Sequence, residues 1–545
     1  MQVFTKSEVA AHNAEGDAWI IVHRKVYDVS KFADAHPGGK RILLKVAGTD
    51  ATALFDKFHQ DPKILRSYGA KLLVGTLASA LGLVSAPETP QPIIFEPSKV
   101  TKLHRGVDKA GNKLDFMGTM VPIADPMWMQ DYYSPYYNAS HFRLARALRA
   151  FADEVEPEAA TWDEVEGSPA SHYTRVGQLG ILAFEFAPAI YKWLPKDFPR
   201  VAGLKDEEID IFHKLVMKYE LSIRGVIPSG MGVIMIAMSP ILHHARPEVA
   251  RRVIYDICSG NAQCCLAVTE PSGGSDTQNL ETTAELSDDG KYFIVNGMKK
   301  WITNGVRAEY FTTAVRTGGK GGAGISMLLI ERKFGGVTTT PMKLQGSWTS
   351  GVAFVLFENV RVPVENLLGE VNKGFRTMMH KFNYERLGMI AGCVTAARIC
   401  YTEGCAHKRK TFGKFLIEHP VLRHKFANMA RNIESSQAWL EQLAYQFKMF
   451  EDEDKLNERI GGLIAIAKSQ ATLTFEHAAR EASQIFGGLS YTRGGQGGKV
   501  EALYRFVRLN SIGGGSEDLL FDFGVRDMLK KAYLMGAMGG RGPSL

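Results

Sequence analysis

Apolar residues return every three or four positions along Phe142 to Glu156 and again along Glu207 to Ile223, the interval that lines them up on one face of a helix. Residues 125–260 are therefore expected to be α-helical. From Leu266 to Pro363 the pattern shortens to brief apolar runs between turn signals. Tyr292-Phe293-Ile294-Val295 stands between Asp289-Gly290 and Asn296-Gly297, and Ile325 to Ile330 repeats the theme, so a β-domain is expected there. Helical spacing resumes after Gly374, in Val421 to Met449 and Glu458 to Phe486, which predicts a helical last third. Near the other end, the prolines of Ser85-Ala86-Pro87-Glu88-Thr89-Pro90-Gln91-Pro92 and then Pro97 can sustain neither a helix nor a central strand. The expected organisation is a small unit at 1–78 with a strand-like run from Trp19 to Val29, a linker at 79–101, an α region at 102–260, a β region at 261–370 and a helical region at 371–545.

The chain has 545 residues, enough for several cores, and its 45% apolar and 23% charged residues are those of an ordinary globular protein. A net charge of +7, with Lys and Arg interspersed among Asp and Glu, gives no nucleic-acid footprint. The longest uncharged stretch, Gly225 to Leu242, is interrupted by Pro228, Gly230 and Pro240, so no transmembrane segment is expected. Six cysteines without CxxC spacing are expected to be reduced, buried thiols. Met1 to Lys6 leads straight into folded-looking sequence, and Pro543-Ser544-Leu545 loosely resembles a peroxisomal Ser-Lys-Leu ending. The expected setting is intracellular, cytoplasmic or peroxisomal, with no mitochondrial or secretory presequence.

Two histidines carry the chemistry of the first unit. His36-Pro37-Gly38-Gly39 follows the strand-like run, and His59 arrives in the apolar setting Leu54-Phe55-Asp56-Lys57-Phe58. A pair of facing imidazoles can supply both axial ligands of a haem iron, although either histidine alone would read as a turn or surface residue. With Tyr27-Asp28-Val29-Ser30-Lys31-Phe32 and Gly48-Thr49-Asp50-Ala51-Thr52, these residues resemble the cytochrome b5 family over residues 3–77. The resemblance implies an α+β fold, haem b held by His36 and His59, and one-electron transfer. Residues 1–78 hold 11 Lys or Arg against 8 Asp or Glu, so the acidic docking face common in that family is not expected.

Further on, Leu266-Ala267-Val268-Thr269-Glu270 ends in the Gly-rich turn Pro271-Ser272-Gly273-Gly274-Ser275-Asp276, whose N–H groups and hydroxyls can meet phosphate or a flavin. Lys300-Trp301-Ile302-Thr303-Asn304-Gly305, Arg409-Lys410-Thr411-Phe412-Gly413 and Gln484-Ile485-Phe486-Gly487-Gly488 follow. In this order the four motifs resemble the acyl-CoA dehydrogenase family across about residues 125–535. The resemblance implies an N-terminal α-helical subdomain, a middle β-barrel, a C-terminal four-helix bundle, non-covalent FAD, an acyl-CoA substrate and a homo-oligomer, dimer or tetramer. It places Leu266, Val268, Thr269 and Ser275 against the flavin, with Trp301 and Thr303 on its other side, and gives Ser275 a substrate contact as well. Arg409, Thr411 and Phe412, with Gln484, Gly487 and Gly488, would hold the FAD of the neighbouring subunit; Ser516 and Asp518 are further cofactor contacts. Pro420 departs from the family, where many members carry glutamine.

Removing the proton α to a thioester needs a shielded carboxylate. At the C-terminal loop where many members place it, this chain has Gly513. A subset of isovaleryl- and long-chain-type enzymes draws it instead from a helix with an ERL motif, here Glu385-Arg386-Leu387, and Glu385 is the expected base. Glu517 is the rival, but after Ser516 it reads as a first-turn helix residue. The resemblance also implies that Asn383, Arg386, Gly513 and Gly514 contact substrate, the Gly513 N–H through the thioester carbonyl. Reoxidation by an electron-transferring flavoprotein, another redox partner or the fused haem is implied. An acyl-CoA oxidase, a nitroalkane-oxidase-like flavoenzyme and a non-catalytic haem or flavin module are the other readings.

Overall fold

The computed structural model describes residues 2–23, 25–36, 39–52, 54–55, 70–77, 121, 123–130, 132–165, 167–225, 232–379, 381–406, 409–450 and 452–534. The linker expected at 79–101 and the second histidine, His59, lie outside them. The chain divides into two units, Met1–Phe95 and Glu96–Leu545.

In the first unit, β1 (Gln2–Phe4), β2 (Asn13–Ala14), β3 (Asp17–Val22), β4 (Lys25–Asp28) and β5 (Leu73–Leu77) form one sheet in the order β1-β5-β4-β3-β2. The strand-like run from Trp19 to Val29 is a hairpin rather than one strand. His23 takes a left-handed φ of 48° after Val22 and turns the chain back, setting Ile20 opposite Tyr27 and Ile21 opposite Val26. Alternation along β3 then buries both faces: Ile20 and Val22 pack with Tyr27, Val29 and Leu43, and Ile21 packs with Phe4, Val9 and Val26. Helix α1 (Lys6–Ala10) opens on a capping box between Thr5 and Glu8, and α2 (Lys40–Val46) follows Gly39.

The second unit begins with helices α3 (Ala139–Ala159), α4 (Ala170–Gln178), α5 (Ile211–Ser222), α6 (Ile234–His244) and α7 (Pro247–Cys258). The helix expected from Glu207 starts later because Asp206–Glu208 is a 3-10 turn and Asp210 caps α5, accepting the N–H groups of Phe212 at 3.0 Å and His213 at 3.2 Å. Asp210 also bonds the His141 ring on α3 at 3.1 Å and Lys448 at 2.7 Å. One carboxylate thus fastens the starts of two helices to a third.

The middle region is a curled seven-stranded sheet of β6 (Cys264–Ala267), β7 (Thr283–Leu286), β8 (Tyr292–Ile302), β9 (Tyr310–Arg316), β10 (Ile325–Glu331), β11 (Val337–Pro341) and β12 (Ala353–Pro363). It runs β10-β9-β7-β8-β12-β11, with β6 parallel to β9. Phe293, Val295, Phe311, Val355 and Phe357 fill it.

After α8 (Gly374–Met379) come α9 (Phe382–Ala406), the two-residue strands β13 (Lys410–Thr411) and β14 (Lys414–Phe415), α10 (Pro420–Met449), α11 (Glu453–Phe486), α12 (Gly498–Ile512) and α13 (Glu517–Leu534). Helix α11, 34 residues long, packs against α9, α10, α12 and α13 and is the axis of the bundle. Trp348 joins sheet to bundle: the guanidinium groups of Arg493 and Arg505 lie over its ring, at 4.1 Å and 4.2 Å from its centre. Among the described residues, no helix is long and apolar enough to cross a membrane.

Under the start of the sheet, the Lys299 ammonium meets the Glu270 carboxylate at 2.7 Å, both buried. Burial pulls the lysine down to about 8, against the attraction of Glu270. Lys299→Met would strand the Glu270 charge, and a loss of about 3–5 kcal/mol is expected, read as a lower thermal unfolding midpoint. An unchanged midpoint would mean that the pair does not hold the sheet.

Candidate functional site

Strand β6 runs into the Gly-rich turn, and β8 passes beside it. Lys299 donates to the Val268 carbonyl at 3.1 Å, and the Lys300 N–H donates to the Thr269 carbonyl at 2.9 Å. Glu270 accepts the N–H groups of Glu281 at 2.5 Å and Thr282 at 2.9 Å, so the base of the turn is pinned from two directions. Against β12 the register of β8 slips between Ala353 and Val355, a bulge that coincides with a left-handed φ of 56° at Trp301. Side chains adopt that conformation only at a cost of about 1–2 kcal/mol, and here it turns an indole that is 49% exposed out of the strand. Leu266, Thr269 and Thr303 are half-buried, Val268 is buried, and Ser275 is exposed. The structure brings the first two motifs together around an aromatic ring open on one side.

A second meeting joins the other two motifs. Strands β13 and β14 are linked by Phe412 and Gly413, at φ 51° and 76°, a two-residue turn that leaves the Phe412 ring 97% exposed. Gly487 ends α11 at φ 62°, ψ −134°, and a Cβ there would stand 3.5 Å from an Arg409 nitrogen. Gln484 and Gly488 are exposed, and a Cβ on Gly488 would meet nothing within 4 Å. Thr411 bonds His419 at 3.1 Å. Pro420 is the first residue of α10, where its missing N–H is not required. Open glycines, an exposed ring and an adjacent guanidinium suit a flat aromatic group and a diphosphate.

Glu385 lies in the first turn of α9, half-buried, and its carboxylate accepts no hydrogen bond from a described residue. Burial raises it to about 7, opposed by the charges of Arg386 and then Lys468. Met389, four residues on and therefore on the same face, touches the glycine loop: a Cβ on Gly514 would lie 2.5 Å from its sulfur. Gly514 and Gly515 have φ of +66° and +104°, open to glycine at little strain. The loop thus packs on the Glu385 face.

Asn383 and Arg386, expected to contact substrate, hold this arrangement together. Arg386 donates to the Gly514 carbonyl at 3.2 Å and to Asn383 at 3.1 Å, and Asn383 donates to Asn457 at 2.9 Å. The Gly513 N–H closes α12 on the Leu509 carbonyl at 2.9 Å, so it is engaged within the helix end and not turned to a ligand. The Gly514 N–H has no described acceptor. Glu517 opens α13 after Ser516, and its carboxylate accepts Thr472 at 2.5 Å, a structural use; Asp518 is exposed.

Lys468 was not singled out by the sequence reading. It is fully buried on α11 and donates to the Gly515 carbonyl at 2.9 Å and more distantly to Ser511 at 3.5 Å. The signal was its register: Ile464, Ala471, Thr472 and Phe475, three, four or seven residues away, are all buried.

In the first unit, His36 follows a 3-10 turn at Ala33–Ala35, with its ring 6.0 Å edge-on from Phe32, and Gly39 donates to its carbonyl at 2.8 Å. A half-buried imidazole beside an apolar cluster fits one axial ligand of a haem.

Residues 5–78 match the model of the cytochrome b5-like haem/steroid binding domain, 265–360 that of the acyl-CoA dehydrogenase middle domain and 372–529 that of its C-terminal domain. The acyl-CoA dehydrogenase apdG of Emericella nidulans is 37% identical over 419 residues, 75% of this chain and 95% of its own. The acyl-CoA dehydrogenase AFT10-1 of Alternaria alternata is 39% identical over 419 residues, 75% of this chain and 96% of its own. Among solved structures, a probable acyl-CoA dehydrogenase from Mycobacterium abscessus superimposes with a TM-score of 0.65 at 28% identity, covering 72% of this chain and all (100%) of that one.

The two glutamates should differ in what they cost the fold. A carboxyl whose folded value lies above its ordinary one loses stability as pH rises through the interval, so the cost of Glu385 sets in above 4.5 and is fully present above about 7. Glu385→Gln is therefore expected to raise the unfolding midpoint at about pH 8 and to leave it nearly unchanged at about pH 4. Glu517→Ala, which removes the Thr472 bond, should cost about 1 kcal/mol at both. The opposite ranking would contradict the burial of Glu385.

Proposed function

We propose, from the premise that this chain belongs to the acyl-CoA dehydrogenase family and carries a cytochrome b5-like domain, that it oxidises an acyl-CoA thioester to the 2-enoyl-CoA with Glu385 as base. The chain is an oxidoreductase of that family, with FAD and haem as its cofactors. The observation that carries the proposal is the Glu385 carboxylate: half-buried, bonded to no described group, poised near neutral pH and set against the glycine loop. A base of that value is partly ionised near neutral pH and remains a strong proton acceptor.

Bound FAD supplies the acceptor for the hydride that leaves the β-carbon. The chain's own residues do the rest. Glu385 takes the α-proton, and the packing of Met389 and the glycine loop keeps water from competing for it. Arg386 fixes the loop through the Gly514 carbonyl, leaving the Gly514 N–H as the donor for the thioester oxygen in place of the engaged Gly513 N–H. Trp301 and Thr303, with the turn after Val268, cover the flavin. Arg409, Phe412 and the Gln484–Gly488 turn serve the FAD of a second subunit in a homo-oligomer, which accounts for a phenylalanine left 97% exposed in one chain. His36 and His59 ligate the haem, a one-electron acceptor carried on the same chain. An electron-transferring flavoprotein or another redox partner is the alternative acceptor.

Anaerobic addition of a panel of acyl-CoAs should bleach the flavin. Glu385→Gln should keep FAD and slow bleaching by at least about 100-fold, while Glu517→Ala remains active. The parent rate should rise with pH through about 7, as Glu385 loses its proton. His36→Ala should remove the haem spectrum and spare the flavin, and haem reduction after substrate should be independent of protein concentration. A dispensable Glu385 would overturn the assignment of the base; a flavin bleached by no acyl-CoA would overturn the reaction.

A further inference from the structure

Two consecutive residues with left-handed backbones, Gly514 and Gly515, give the loop beside Glu385 little preference of its own. Something outside the loop has to hold it. From α9, Arg386 takes the Gly514 carbonyl. From α11, on the other side, Lys468 takes the next carbonyl, Gly515, at 2.9 Å and reaches Ser511 at 3.5 Å. The neighbouring α11 residues act on the same segment, Ser469 bonding the Glu517 carbonyl at 3.4 Å and Thr472 its carboxylate at 2.5 Å. A fully buried ammonium is tolerated where such acceptors replace its water.

We propose that Lys468 is a positioning residue for the reaction: it clamps the glycine loop onto the Glu385 face of α9 and turns a fixed positive charge toward the base. The proposal rests on the reading of Glu385 as that base. The groups facing Lys468 are Glu385, Arg386 and Cys393 from α9 and Glu517 from α13. Burial lowers the lysine to about 8, and burial pushes the Cys393 thiol up to about 12, so the thiol stays neutral. Lys468 holds its proton to higher pH than Glu385 does, and while charged it opposes, with Arg386, the effect of burial on the carboxylate. Without it, Glu385 would hold its proton to higher pH.

The test compares the FAD-loaded parent with Lys468→Met, Lys468→Gln and Lys468→Arg. The neutral variants should keep FAD but move the acid limb of flavin reduction upward by roughly one unit, a loss of roughly 5-fold at pH 7 that is regained at higher pH. Arg should restore the limb. Hydrogen exchange of the peptide spanning 509–520 should quicken in Lys468→Met, a readout that needs no turnover. An unmoved limb with unmoved exchange in a folded neutral variant would overturn the proposal. So would failure of both neutral variants to fold while Arg folds, because the lysine would then be purely structural. A parent enzyme whose flavin no acyl-CoA reduces would overturn the assigned reaction, and the exchange experiment alone would then decide the clamp.

Discussion

A carboxylate withdrawn from water without hydrogen-bond donors is costly where it stands, and the bundle is arranged to keep Glu385 in that position. Helix α9 carries it, Met389 closes the same face, and the glycine loop between α12 and α13 lies across it. The surrounding cations do not pair with it directly: Arg386 donates to a loop carbonyl and to Asn383, and Lys468 to loop carbonyls. Their charge reaches the carboxylate through space, enough to hold it near neutrality and not enough to quench it. A direct salt bridge would lower the base out of its useful range. Absence of any cation would leave it protonated.

The same division of labour appears on the sheet side. The Lys299–Glu270 pair lies behind the Gly-rich turn, pinning its backbone, while Trp301 is turned forward by the bulge. Charged residues fix the scaffold, and uncharged surfaces are presented outward. Such a plan suits a site for a large planar cofactor, which needs flat apolar contact and backbone donors more than it needs ions.

Much of this was legible in the sequence because it is written in local patterns. Period-two and period-three-to-four spacing located the sheet and the long helices, and motif order located the regions of Trp301, Arg409 and Gly487. What escaped depends on contacts between segments distant in the chain. The hairpin inside Trp19 to Val29 turns on a left-handed His23, a conformation with no glycine to announce it. The start of α5 was displaced to Ile211 because Asp210, not the acidic run before it, makes the capping bonds. The bond of the Arg386 guanidinium to a loop 128 residues away has no local signal in the sequence. Lys468 reads as an ordinary helical lysine unless its register is set against its buried neighbours.

Asp210 joins more of the molecule than its place in a loop suggests. It caps α5, bonds the ring of His141 at the third position of α3, and takes Lys448 near the end of α10. Burial alone would raise its carboxyl, but the bonds from His141 and His213 prevail and hold it well below the usual range. Three helices, two from the first helical layer and one from the bundle, therefore share a single fastening that stays ionised at any ordinary pH. The layer and the bundle are thereby coupled at one carboxylate, so opening one of these helix ends also loosens a fastening that the other two share.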